Sequence, residues 1–191
     1  KWGYHSTRDF FNSLMNYEIT VLHIGETSFI KKQGFNIEKI YIVPPTLSKC
    51  ISPSCNFIPK KICIHGRQST QSLETFFDLY NIIKSNSIFS KNKLMITVCG
   101  ELSSLVPPSI PIENIGRVRN LQEHLHNAIC PVLTKNNPTG ISIRIIDIVE
   151  SGGFLIASTK SVIGYPVNDY PFLFDDVNSL PTVVEKMTNN V

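Results

Sequence analysis

The chain has 191 residues, 42% of them hydrophobic and 17% charged, with a formal net charge of +3. That length buries a substantial core without disulfide or metal staples, and the composition is that of a globular protein rather than a disordered one. Lys and Arg are scattered and no basic run, Lys60-Lys61 included, is longer than two residues, which excludes the basic stripe of a nucleic-acid binder.

No apolar run approaches the ~20 residues of a membrane span, and no signal sequence opens the chain. The chain does not begin with Met, which predicts a piece of a longer protein. Cys50 and Cys55 lie close together, whereas Cys63, Cys99 and Cys130 sit inside apolar runs. That placement predicts buried free thiols in a reducing compartment, and hence a cytoplasmic protein. His124 and His126 are separated by one residue and point to different faces of a helix. A metal site wants tight pairs near other pairs, so no metal or other cofactor is expected.

In chain order, residues 9–15 read as a short helix with Phe10, Phe11 and Leu14 on its apolar side. Residues 19–24 read as a strand, 26–32 as a helix ended by Gly34, and 39–43 as a second strand stopped by Pro44-Pro45. The loop 44–60 is rich in Pro and Ser, and this change of composition marks a boundary. Residues 1–45 are therefore one segment, 46–61 a linker and 62–191 the main domain.

Beyond the linker the alternation is regular. Strands are predicted at 62–65, 94–99, 115–118, 128–133, 154–158 and 172–174. Helices are predicted at 72–84, 121–127, 141–151 and 176–189. Nearly all-apolar strands alternating with helices predict an α/β fold, a Rossmann-like doubly wound parallel sheet covered on both faces. In such a sheet a ligand lies at the carboxyl ends of the strands, over the helix starts.

That rule selects the loops after the strands at 62–65, 94–99, 115–118, 128–133 and 154–158, and three of them carry the residues of most interest. Gly66-Arg67 follows the first strand of the domain. A glycine lets a ligand approach the backbone, and an arginine beside it grips a diphosphate with two parallel hydrogen bonds; a surface arginine is the competing reading. Gly116-Arg117-Val118 precedes Asn120-Leu121. Its plainer reading is a turn whose Asn120 caps the next helix. The loop 134–140 opens the helix bearing Arg144 and Asp147, three residues apart and on one face. Backbone N–H groups of Thr139, Gly140 and Ile141 would point at an anion there, with Arg144 one turn in. An Arg144–Asp147 pair on a solvated helix face is the alternative.

The same residues carry a family resemblance. Order and spacing over 62–188 resemble the C-terminal, nucleotide-sugar-binding domain of GT-B glycosyltransferases of the group 1, or family 4, type. Gly66-Arg67 matches the family's Gly-Arg, and Gly116-Arg117-Val118 with Asn120-Leu121 matches its Gly-x-Val-x-Asp/Asn-Leu segment. Asp147 stands where the family has a Glu that binds ribose hydroxyls. Residues 1–45 resemble the tail of the first GT-B domain, and within them 17–33, with Gly25-Glu26-Thr27-Ser28 at the turn, resemble its strand followed by a Ser/Glu-rich helix.

The resemblance implies a retaining transfer of sugar from a UDP- or GDP-linked donor to an unidentified acceptor, this chain being mainly the donor-binding half. It implies a donor site at Gly66, Arg67, Gly116, Arg117, Val118, Thr139, Gly140, Ile141, Arg144 and Asp147. Catalytic residues, and any peripheral membrane association, would belong to the missing half. The sequence also departs from the family. Gln71-Ser72 replaces a Lys, Thr139 replaces a first Glu, and Phe154 replaces a proline. The missing Lys, the lost first Glu and Asp147 in place of Glu favour a non-catalytic binding or scaffold domain as the alternative. A flavodoxin-like or periplasmic-type ligand-binding domain is a third reading, since fold does not fix function.

Overall fold

Runs such as Ile62-Cys63-Ile64 and Ile129-Cys130-Pro131-Val132 are apolar at every position, a pattern that suits strands buried on both faces. The computed structural model places them so. It describes residues 19–21, 31–32, 40–42, 59–135, 142–165 and 170–189. The chain falls into two compact units. The smaller includes residues 1–46, and the larger takes 47–137, 142–162 and 166–191. In the smaller unit β1 (Ile19–Val21) pairs in parallel with β2 (Ile40–Ile42), Ile19 opposite Ile40. Lys31 and Lys32 between them are helical. The short helix expected at 9–15 lies outside the described residues.

The larger unit is one sheet of six parallel strands. They are β3 (Lys61–Gly66), β4 (Met95–Gly100), β5 (Glu113–Gly116), β6 (Ile129–Val132), β7 (Phe154–Ser158) and β8 (Leu173–Phe174). Their order is β5-β4-β3-β6-β7-β8. The chain starts at β3, runs outward through β4 to β5, returns to β6 on the other side of β3, and runs outward again. This is the Rossmann order, and its switch point lies between β3 and β6. Those two strands share a single register position, Ile62 opposite Ile129.

Five helices cover the faces: α1 (Thr70–Ser85), α2 (Ser87–Lys91), α3 (Leu121–Leu125), α4 (Ile143–Glu150) and α5 (Leu180–Asn189). Ser69 caps α1 by accepting from Ser72 N at 3.1 Å. Phe76, Leu79, Tyr80 and Ile83 of α1 pack with Ile62 and Ile64 of β3, and with Leu180, Val184 and Met187 of α5. Side chains alternate along a strand, so Cys63 and His65 face the opposite side, where α4 packs on β6 and β7. Cys63, Cys99 and Cys130 are free and buried, as their apolar settings predicted. At the ends of β6 and β7, Ser158 Oγ accepts from Thr134 N at 3.0 Å and lies 2.7 Å from Ser161 Oγ. Ser161 Oγ in turn lies 3.1 Å from the Val132 carbonyl, so this buried polar corner is satisfied internally.

Two expectations shift in detail. Helix α2 was not foreseen; it starts because Asn86, which ends α1, accepts from Ile88 N at 3.0 Å and caps a new turn. The strand expected at 115–118 lies at Glu113–Gly116 instead. Register slips so that Val98 faces Asn114 and Cys99 faces Gly116, and Gly116 then turns the chain at φ +80. Arg117 and Val118 consequently leave the sheet for the loop above its carboxyl end. No helix among the described residues is long and apolar enough to cross a membrane.

Gly100 ends β4 at φ 84, ψ −165, a region essentially reserved for glycine. A Cβ there would also meet the Gly66 carbonyl oxygen at 2.9 Å, whereas one on Gly116 would meet nothing within 4 Å. Strain of about 1–3 kcal/mol adds to the clash at Gly100, so we expect Gly100→Ala to cost about 3 kcal/mol. Gly116→Ala carries only the positive-φ penalty of about 1 kcal/mol. Urea denaturation of both variants checks the ordering; equal costs would mean that the Gly100–Gly66 approach relaxes freely.

Candidate functional site

The carboxyl end of β3 is where an apolar strand turns polar: Ile64-His65-Gly66-Arg67-Gln68. His65 is only 7% exposed. Arg67 and Gln68 are exposed. Gly66 is half-buried, and a Cβ on it would sit 3.5 Å from the nearest atom of Leu102, an ordinary contact. Packing therefore does not demand a glycine at 66.

On the β4 and β5 side of this loop lies a cleft of about 400 Å³, lined by Gln68, Gly100, Glu101, Ser104, Gly116 and Arg117, with Ser103 beneath. Gln68 N donates to Glu101 Oε2 at 3.4 Å, which ties the β3 loop to the β4 loop. Arg117 Nη2 stands 3.9 Å from Glu101 Oε1, with its side chain 84% exposed. An ion pair that exposed contributes little to stability, so the Arg117 guanidinium is available to a ligand. Asn120 caps α3 through Gln122 N at 3.2 Å, which fixes the loop carrying Arg117 and Val118.

On the other side of the β3 loop stands α4. Ile145 and Ile148 bury its inner face, and Arg144 and Asp147 are half-buried beside them. These two do not form an ion pair within 4.0 Å; the nearest basic group to Asp147 Oδ2 is His65 Nε2, at 3.9 Å. Burial, and then the Arg144 cation, lower the His65 imidazole from its ordinary 6.5 to about 4. The ring is therefore neutral at pH 7, and 3.9 Å is too long for a hydrogen bond. Nε2 is buried and makes no hydrogen bond among the described residues.

Burial pushes the Asp147 carboxyl up, Glu150 adds to this, and the Arg67 guanidinium opposes it. Burial also pushes the Arg144 guanidinium down, although an arginine stays charged at any working pH. Arg67, Arg144, His65 and Asp147 therefore lie within electrostatic reach of one another.

Of the residues chosen from sequence, Gly66, Arg67, Arg144 and Asp147 gather on one flank of the strand end, while Gly116 and Arg117 line the cleft on the other. Val118 is half-buried in the loop beside Arg117. Thr139, Gly140 and Ile141 lie outside the described residues. Sequence reasoning passed over His65 and Glu101. The signal for His65 was present, because a histidine ending an otherwise apolar strand just before Gly-Arg is a polar group at the sheet's ligand-facing end. Among the described residues no group of three or more His, Cys, Asp or Glu side chains is arranged to hold a metal ion.

The buried imidazole gives a pH signature. The unfolded chain accepts a proton at 6.5 that the folded chain refuses until about 4. Stability from this group is thus complete above pH 6.5 and is lost as pH falls toward 4. The shift corresponds to on the order of 3 kcal/mol. Asp147, with its raised carboxyl, acts in the opposite sense. We expect His65→Gln to flatten the fall in thermal stability between pH 6.5 and pH 4. An unchanged profile would remove His65 as its cause.

No family model matches the chain, and no curated protein matches its sequence. Solved structures do match. TarM, a GT-B glycosyltransferase, aligns with 98% of this chain and 41% of its own, with a TM-score of 0.68 and 13% identity. A point variant of S. aureus TarM, in complex with fondaparinux, alpha-GlcNAc-glycerol and UDP, aligns with 96% of this chain and 40% of its own, with a TM-score of 0.67 and 14% identity. At such identities the likeness concerns the fold, and this chain spans 41% of the TarM chain. The larger unit, with its six-stranded parallel sheet and flanking helices, has the Rossmann-like fold of a GT-B glycosyltransferase domain.

Proposed function

We propose that this chain is the donor-binding half of a glycosyltransferase that transfers a sugar, with retention, from a nucleoside-diphosphate sugar to an acceptor held largely by residues beyond this chain. The observation that carries the reading is the group at the carboxyl end of β3, at the switch point of the sheet: Arg67 acts electrostatically on Asp147, and Arg144 on His65, the residue before Gly66. In a Rossmann-ordered sheet that crevice is where nucleotides bind. The UDP in the complex of the TarM variant makes UDP the first donor nucleotide to test, with GDP the second.

In this reading Arg67 and Arg144 hold the diphosphate. Their fixed charges stabilise the negative charge that develops on the departing nucleotide as the glycosidic bond breaks, and they need no reorganisation to do so. Asp147, ionised and partly desolvated, accepts hydrogen bonds from the ribose hydroxyls. The cleft lined by Gly116 and Arg117 receives the base. No metal is required, because two guanidinium groups supply the countercharge.

A second reading, donor binding without transfer, is favoured by one observation. Ser72, close to where the family carries a lysine, is engaged with Ser69 at the start of α1, their hydroxyl oxygens 2.8 Å apart. The diphosphate grip therefore lacks a third cation.

Charge-assisted hydrogen bonds contribute about 1.5–3 kcal/mol each. Arg144→Ala should accordingly weaken UDP binding about ten- to a hundred-fold with little loss of stability, and Arg144→Lys should weaken it less. Asp147→Ala should instead reduce the preference for UDP over pyrophosphate. Calorimetric titration of the full chain with UDP, GDP and pyrophosphate measures all three effects. Unchanged UDP affinity in Arg144→Ala would end the diphosphate assignment.

A further inference from the structure

The donor-site reading leaves one buried polar atom at the site without a use. Nε2 of His65 is buried and has no hydrogen-bond partner among the described residues. Orphaned groups of this kind are uncommon, because each one forfeits its bonds to water. The Asp147 carboxylate stands 3.9 Å away. About 1 Å of approach would bring the pair to hydrogen-bond distance.

The partners on each side are fixed differently. His65 sits on a central strand, held by its register with Cys99 in β4. Asp147 is on α4 with its side chain 42% exposed, so it is the half that moves. Burial, and then the Arg144 cation, keep a proton off the ring, and a neutral imidazole is a single donor and a single acceptor. Only the donor form complements a carboxylate.

We infer that His65 is a positioning residue for Asp147: its neutral ring carries the proton on Nε2 and donates it in a hydrogen bond to Oδ2 when a vicinal diol occupies the other side of the carboxylate. This deepens the donor-site reading and rests on it. The diol is that of a ribonucleotide, and free pyrophosphate lacks it. His65 touches no ligand itself. It sets the direction in which Asp147 presents its lone pairs, and thereby the preference for a ribonucleotide over any other diphosphate.

The test compares UDP, 2′,3′-dideoxy-UDP and pyrophosphate on the full chain and on two variants, with 15N NMR of the histidine rings of the unsubstituted protein. The ring should show the Nε2-protonated tautomer, and its Nε2 proton should shift with UDP but not with the dideoxy analogue or pyrophosphate. His65→Phe should lose about ten-fold in UDP affinity and leave pyrophosphate affinity unchanged. His65→Gln, whose side-chain amide places an N–H donor near the position of Nε2, should restore most of the loss.

A ring protonated on Nδ1 alone would overturn the inference even if His65→Phe fails to fold. So would a His65→Phe variant that still prefers UDP over its dideoxy analogue as strongly as the unsubstituted protein; in that case the donor-site reading survives. Failure of the unsubstituted protein to distinguish UDP from pyrophosphate would remove both.

Discussion

The central strand of a doubly wound sheet is apolar along its length and must become polar at one end, within the space of a residue or two. In β3 the change falls at His65-Gly66-Arg67. The neighbours on either side leave in opposite directions, β4 toward one edge and β6 toward the other, so no connection crosses above this point. Several features follow from that constraint. Gly100 must be glycine because its strand end presses on the Gly66 carbonyl. His65 must be neutral because it is enclosed near a cation. Asp147 lies across from it on the first helix after β6, whose side chains approach the crevice.

Much of this was legible in the sequence, and for a definite reason. Strands buried on both faces leave continuous apolar runs, so the strands of the large sheet other than β5 could be placed from hydrophobicity; β5, Glu113-Asn114-Ile115-Gly116, carries no such run. The glycines that end β3, β4 and β5 showed where each stopped, except that a bulge at the end of β5 moved that strand by two residues. Hydrophobicity could not foresee the slip, because the strand takes in the polar Glu113 and Asn114 and leaves out the apolar Val118. Helix α2 escaped notice because five residues are too few to show a helical period.

The site was half legible. Residues standing beside a glycine or on a helix face, such as Arg67, Arg144 and Asp147, were found because their spacing points to one end of the sheet. His65 was not chosen, since a histidine inside an apolar run reads as part of the core. Its significance depends on burial and on Asp147, 82 positions further along the chain, and no local pattern carries that relation. The separation of Gly116 and Arg117 from Arg144 and Asp147, on opposite flanks of one loop, is likewise a property of strand order.

The central claim is that a nucleoside diphosphate sits at the carboxyl end of β3, with its phosphates against Gly66, Arg67 and Arg144 and its ribose against Asp147. A crystal structure of the chain grown with saturating UDP tests it most directly. The account predicts diphosphate density over Gly66, within hydrogen-bond distance of both guanidinium groups, and ribose hydroxyls on the Asp147 carboxylate. UDP bound elsewhere on the chain, with Arg144 and Asp147 turned to solvent, would contradict it.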